Sequence, residues 1–493
     1  MTLFYKSTRD SENIVSASQA ILQGLAVDGG LYVPTEIPEV DLDFRHLANQ
    51  SYQEIAALIM QLFLPDFTQE ELHECIDKAY DQKFDDQEIT PLVKVGDQYY
   101  LELFHGPTLA FKDIALSILP HLMKKAAQKN NMDKEIVILT ATSGDTGKSA
   151  MEGFADVKNT RIIVFYPENG VSPIQKKQMI TQKGENTFIA AIEGNFDDAQ
   201  RKVKELFNDE NLRSKMAENN KVFSSANSIN IGRLVPQIVY YVYAYTRLVK
   251  SGQIASGEEV NFSVPTGNFG DILAGFYAKK IGLPIRRLIC ASNQNNVLTD
   301  FFQTGNYDRN RPFYVTTSPS MDILISSNLE RLLFYLTKED TAQTKQLMDD
   351  LNKKGNYKIT AEMESGLSDF FADFASEKET AQTIREVYEK ESYVIDPHTA
   401  VAACVANKYE EKMLPTVILS TASPYKFPQA VLQAITKEGE KAEGVAAINK
   451  LKRFAEIPIP AAIKELENAE TKHNDKISDK EMTHYVEKVL NLK

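Results

Sequence analysis

Lys112 stands inside "LAFKDIALSIL", residues 109 to 119, where the only other charge is Asp113. An amine drawn into apolar surroundings loses hydration, and its pKa falls towards neutrality. Such a lysine is a nucleophile able to form a Schiff base with an aldehyde. The alternative is a lysine whose stem packs while its ammonium reaches water, and the segment alone leaves both open. A second signal is "SVPTGNFGDILAGF", residues 263 to 276. There the amides of Gly267, Asn268, Phe269 and Gly270 can converge just before a helix opening near Asp271, a cup for a phosphate dianion. The spacing is not GxGxxG, so a dinucleotide fingerprint is unsupported, and a plain strand-to-helix turn would read alike.

Two further turns carry small polar groups. "SSANSINIGRLVPQ", residues 224 to 237, sets Asn227, Ser228, Asn230 and Arg233 between apolar stretches. A guanidinium beside amide and hydroxyl donors suits a phosphate group. "IVILTATSGDTGKSAMEGF", residues 136 to 154, reads as strand, turn and helix, with Thr142, Ser143, Asp145 and Thr146 at the corner. It nearly matches the loop that wraps ATP phosphates, but the position five before Gly147 is Thr142 rather than Gly, and no apolar strand ending in Asp is evident to hold magnesium. Backbone amides at that helix start attract carboxylate as readily as phosphate, and an ordinary helix cap would look similar. Together these segments offer an aldehyde-capturing lysine, a phosphate cup and two anion-binding turns. A cofactor carrying both an aldehyde and a phosphate, pyridoxal phosphate, would use the first two. The others would then hold the carboxylate and distal phosphate of an amino-acid substrate.

These turns need strands to end on and helices to begin from. "IVILT", "RIIVFYP" and "TFIAAIEG" are apolar runs each followed by a helical pattern, as parallel strands with crossover helices require. "VNFSVPTG", "RRLICAS" and "TVILSTA" predict a second set. Upstream, "YQEIAALIMQLF" has one apolar face, and Thr68 with Glu71 has capping-box spacing. "LAVDGGLYVP" predicts a turn into a short strand, and the region from about 325 to 390 reads as charged helix. The expected fold is α/β, with two open, mostly parallel sheets and a helical N-terminal domain. Its expected parts are residues 1–90, N-terminal; 91–115 with 236–435, the large cofactor-binding unit; 116–235, a smaller α/β unit; and 436–493, a helical extension on the body.

Composition narrows the partners. A formal charge of −13 over 493 residues disfavours a nucleic-acid binder, which needs a basic face. Cys75, Cys290 and Cys404 lie far apart, with neither CxxC nor metal-like spacing, which fits free thiols in a reducing, cytoplasmic compartment. The N-terminus "MTLFYKSTRDSENIVS" shows no secretory pattern, and no run of 18 apolar residues predicts a membrane span.

In this order and spacing, "FHGPTLAFKD", "LTATSGDTGKSA", "SSANSINIGRL", "VPTGNFGDILAGF" and "STASPYKFP" resemble the longer class of threonine synthases, as does the leader "ILQGLAVDGGLYVP". The resemblance runs from about residue 3 to 435. It implies the architecture of the tryptophan synthase β-subunit, fold type II among pyridoxal 5'-phosphate enzymes, with the cofactor in a cleft between two α/β domains. It implies conversion of O-phospho-L-homoserine and water to L-threonine and phosphate. By motif, Lys112 would hold the cofactor; Gly267, Asn268, Phe269, Gly270 and Asp271 would take its phosphate; and Thr421 would face its ring nitrogen. Thr142, Ser143 and Asp145 would face the substrate carboxylate and the cofactor's phenolic oxygen, while Asn227, Ser228 and Arg233 would grip the substrate phosphate. Ser423 stands where related sequences carry His, so no role of that His transfers. A phospho-lyase of the same lineage, or a metabolite-binding protein that keeps the cups without the chemistry, remains as the alternative.

Overall fold

The computed structural model describes residues 3–142, 144–168, 171–194, 196–411, 413–436, 442–455 and 457–492. The first segment forms a small antiparallel sheet, with β1 (Tyr5–Ser7) between β2 (Ile14–Val15) and β3 (Tyr32–Pro34). The expected helices follow: Tyr52–Phe63, with its one apolar face buried, and Gln69–Ala79, whose N-terminus is closed by the Thr68–Glu71 capping box. The N-terminal part is therefore not wholly helical.

The large sheet runs β14 (Phe370–Phe374), β11 (Ile285–Ser292), β10 (Val260–Pro265), β15 (Thr416–Ser420), β5 (Gln98–Glu102) and β4 (Leu92–Val95). All neighbours are parallel except the β4–β5 edge hairpin. The smaller sheet runs β16 (Asp475–Ser478), β8 (Thr187–Glu193), β7 (Thr160–Pro167), β6 (Glu135–Ala141) and β9 (Lys221–Ser224), all parallel. A separate antiparallel pair joins β12 (Asn306–Asp308) to β13 (Asn356–Lys358). The central strands are buried at most positions, which is why their sequences read as continuous apolar runs.

Helix Ile231–Lys250 is buried along almost its whole length and packs on helices Tyr52–Phe63 and Gly270–Lys280. Its apolar residues join the core shared by the N-terminal segment and one face of each sheet. The C-terminal region does more than pack as helices. Helix Gly444–Ala455 packs on helix Pro428–Ile435 within the apolar cluster of the large unit, whereas β16 and helix Met482–Val489 complete the smaller sheet. Strand β14, inside the region expected to be helical, is the far edge of the large sheet. Among the described residues no helix is long and apolar enough to cross a membrane.

His105 fastens the N-terminal part to the end of β5. Its Nδ1 lies 2.6 Å from Asp85 Oδ1 and its Nε2 2.8 Å from Glu102 Oε2. Burial alone would push this imidazole down, but hydrogen bonds to the two carboxylates prevail and raise its pKa to about 9. Because the folded value is raised, the associated stability is complete below the ordinary histidine pKa and is lost as pH rises through about 9. His105→Gln should lower the unfolding free energy by about 1–3 kcal/mol at pH 6, the exposed Asp85 being partly screened, and by far less at pH 10. Urea titrations at the two pH values measure this difference.

Candidate active site

Each site segment follows the C-terminal end of a parallel strand: 103–112 after β5, 142–145 after β6, 225–233 after β9, 266–271 after β10 and 421–426 after β15. Loops at these ends converge on one crevice, the usual ligand position in open α/β sheets. The segment carrying Lys112 is zipped to the one after β15. Leu103 N–H donates to Ser420 O and Phe111 N–H to Thr421 O, both at 2.9 Å, and Ser423 N–H donates to Leu109 O at 3.1 Å. Lys112 and Thr421 are thereby neighbours across 309 residues of sequence.

Lys112 opens helix Lys112–Leu116 and is half-buried. Desolvation pulls that amine down to about 8, against the attraction of Asp145 and with help from the charges of Arg233 and Lys426. Its Nζ donates to Ser320 Oγ at 3.3 Å. Asp145 is buried among donors: Lys426 Nζ at 2.7 Å and Gln175 Nε2 at 2.9 Å on Oδ1, and Ser320 Oγ at 3.2 Å on Oδ2. Burial would raise this carboxyl, but Lys426 and Lys112 outweigh it and hold it well below the usual carboxylate range. Lys426 is 1% exposed and also donates to Thr108 O at 2.8 Å.

The loop after β6 speaks against the wrapping of ATP phosphates. The hydroxyl of Thr142 accepts from the N–H groups of Gly144 and Gly147, at 3.0 and 2.9 Å, so these two amides are already satisfied. Lys148 pairs instead with Glu152 at 2.9 Å. Ser143 lies outside the described residues.

The turn after β10 has the opposite character. Its carbonyls are spent on a facing loop: Gly267 O accepts from Ser326 Oγ at 2.7 Å, and Asn268 O from Asn328 N and Nδ2 at 3.0 and 2.9 Å. Among the described residues, no group accepts from the N–H of Gly267, Asn268, Phe269 or Gly270. Phe269 takes the left-handed conformation, φ 63°, that gathers successive amides into a nest ahead of helix Gly270–Lys280. These free donors fit a phosphate dianion. The Asp271 carboxylate accepts from Ile272 N–H at 2.9 Å, and burial pushes it up to about 6.

A Cβ on Gly267 would come within 2.7 Å of Ser320 O. Gly267→Ala should therefore displace this turn, with a loss of about 1–3 kcal/mol in stability and weaker retention of a phosphate-bearing ligand. Unfolding curves and ligand release on dialysis would read both.

Arg233 is 3% exposed; among the described residues it has no carboxylate partner, Nη1 donates to Ala226 O at 3.1 Å, and Nε has no partner. Burial pushes this guanidinium down to about 10. Nearby, Asn227 Oδ1 accepts from Thr140 Oγ1 at 2.9 Å, and Ser228 Oγ accepts from Asn328 Nδ2 at 3.2 Å. Asn328 thus joins the cup to the Asn227–Arg233 turn. Behind it the fully buried Arg331 donates to Asn328 Oδ1, to Ile229 O at 2.6 Å and to Tyr32 O at 2.9 Å. The leader segment is therefore built into the site's support.

Residues 4–80 match the threonine synthase N terminus, 86–421 the pyridoxal-phosphate dependent enzymes, and 399–484 the threonine synthase C-terminal family. The chain belongs to the threonine synthase family. It is 39% identical to the threonine synthase of Saccharomyces cerevisiae over 466 residues, 88% of this chain and 89% of that one. It is 42% identical to human threonine synthase-like 1 over 442 residues, 86% of this chain but 59% of that longer protein. The pyridoxal-phosphate-bound threonine synthase of Brucella melitensis superposes with a TM-score of 0.88 at 38% identity, over 99% of each chain. Within this threonine synthase frame the structure adds Lys426, Gln175, Ser320 and His398, which sequence reasoning missed. Lys426 had a legible signal, a lysine inside the apolar motif "STASPYKFP"; Ser320, 208 residues from Lys112, had none.

Proposed function

We propose that this chain converts O-phospho-L-homoserine and water to L-threonine and phosphate, with pyridoxal 5'-phosphate held on Lys112. The observation that carries this reading is one crevice holding both a lysine amine drawn down to about 8 and a buried guanidinium that, among the described residues, has no anionic partner. When bound, the cofactor supplies an electron sink for the charge left as the Cα proton departs. The free amides of Gly267 to Gly270, with the Asp271 backbone, would hold its phosphate. The Thr421 hydroxyl would meet the ring nitrogen and, unlike a carboxylate, leave it largely unprotonated.

Lys112 serves as the base, taking the proton at Cα and then at Cβ; a pKa near 8 leaves a usable neutral fraction at neutral pH. Arg233, with Asn227 and Ser228, binds the substrate phosphate and stabilises the charge that grows as the Cγ–O bond breaks. Thr142, Ser143 and Asp145 would orient the substrate carboxylate and the cofactor's phenolic oxygen. The free, buried cysteines support a reducing, cytoplasmic setting.

The test begins with an absorption spectrum before and after borohydride, with mapping of the reduced peptide. A band that vanishes and leaves a pyridoxyl group on Lys112 is expected, followed by threonine and phosphate from phosphohomoserine. No band after added cofactor would overturn the reading. Formation of 2-oxobutyrate in place of threonine would assign a phospho-lyase, and binding without product would assign a metabolite-binding protein.

A further inference from the structure

We infer that Ser320 is a positioning residue for Lys112, its hydroxyl linking the amine to Asp145 while His398 and Asp396 hold it in place. Ser320 Oγ accepts from Lys112 Nζ at 3.3 Å and donates to Asp145 Oδ2 at 3.2 Å. A hydroxyl can accept and donate at once, so it passes orientation from a fixed carboxylate to a flexible amine. Direct contact with the carboxylate would instead anchor the ammonium form and oppose the base role. Among the described residues Ser320 is the only hydrogen-bond partner of the Lys112 amine. The charged groups that bear on this amine are Asp145, Arg233, Lys426 and Asp271.

Ser320 itself is tightly placed. Its N–H donates to His398 Nε2 at 3.2 Å, so His398 carries its proton on Nδ1, which donates to Asp396 Oδ2 at 2.6 Å. Asp396 is fully buried and caps helix Pro397–Lys408, accepting from His398 N–H at 2.9 Å and Thr399 N–H at 3.0 Å. On its other side the Ser320 carbonyl packs against Gly267, so the turn Pro319–Met321 is gripped between that helix and the phosphate cup.

The inference rests on Lys112 being the cofactor lysine, so borohydride trapping on the unsubstituted protein is the control. In the full chain stripped of cofactor, Ser320→Ala should slow capture of added pyridoxal 5'-phosphate by Lys112 about tenfold, a misoriented amine reacting less often per encounter. Ser320→Thr, which keeps the hydroxyl, should restore the rate. His398→Leu should reproduce the deficit, and His398→Gln, whose amide oxygen can accept from Ser320 N–H, should remove it. Capture by Ser320→Ala at the unsubstituted rate would overturn the inference. So would a Ser320→Thr variant as slow as Ser320→Ala, because space and not the hydroxyl would then matter. Trapping absent from Lys112 in the unsubstituted protein would overturn the proposed function itself, a separate failure.

Discussion

Replacing Lys112 with methionine should lower kcat/KM for O-phospho-L-homoserine by about 10³–10⁴-fold, because on the proposed function one amine would serve as cofactor anchor and as base for two protons. Methionine keeps the stem volume, so the loss is chemical and not a cavity effect. The stability change should go the other way. The amine is desolvated, and its charged form is disfavoured by burial and by the nearby Arg233 and Lys426. Removing it relieves that penalty, and the cofactor-free variant should melt at or slightly above the temperature of the unsubstituted protein. A melting temperature several degrees lower would show that Lys112 is a structural partner of Asp145. Full turnover in this variant would remove Lys112 from the chemistry. The pH profile of the unsubstituted protein carries the same sign: with an amine pKa near 8, base function should rise with pH towards that value.

Arg233→Met should cost about 10²–10³-fold in kcat/KM, since the substrate phosphate is both the handle and the leaving group. Lysine at this position should recover little, lacking the planar fork that meets two phosphate oxygens. Among the described residues the buried guanidinium has an unpartnered Nε and no carboxylate beside it, which suits an anion. With the cofactor filling the Gly267 cup, inorganic phosphate should therefore raise the melting temperature of the unsubstituted protein and leave that of Arg233→Met unmoved. Without phosphate the variant should be the more stable of the two, by about 1 kcal/mol, because the desolvation cost is gone. Equal phosphate stabilisation of both proteins would place the anion elsewhere.

Much of the fold was legible because parallel strands covered on both faces must be apolar at every position. "IVILT" and "RIIVFYP" announced β6 and β7, and "VNFSVPTG" announced β10 with its turn. Edge elements were not. Strand β16 reads "DKIS" and β14 reads "FFADF", one polar and the other short within a charged helical region. Both are strands because a sheet edge offered them partners, which is tertiary context overriding local preference.

The same boundary runs through the site. Sequence alone determined the reactive types: a lysine among apolar neighbours, a glycine-bearing turn before a helix, and an arginine among small polar groups. Each is local, because burial of a segment and the φ values of a turn are encoded within a few residues. Tertiary structure decided which amides stay free. It shows the Thr142 hydroxyl taking the N–H groups of Gly144 and Gly147, whereas the Gly267 turn gives its carbonyls to Ser326 and Asn328 and, among the described residues, leaves its N–H groups unspent. It also decided the partners of charge: Lys426 on Asp145, Ser320 under Lys112, and, among the described residues, no carboxylate on Arg233. Hydrogen bonds and desolvation depend on atoms within a few ångströms, and here those atoms come from segments hundreds of residues apart.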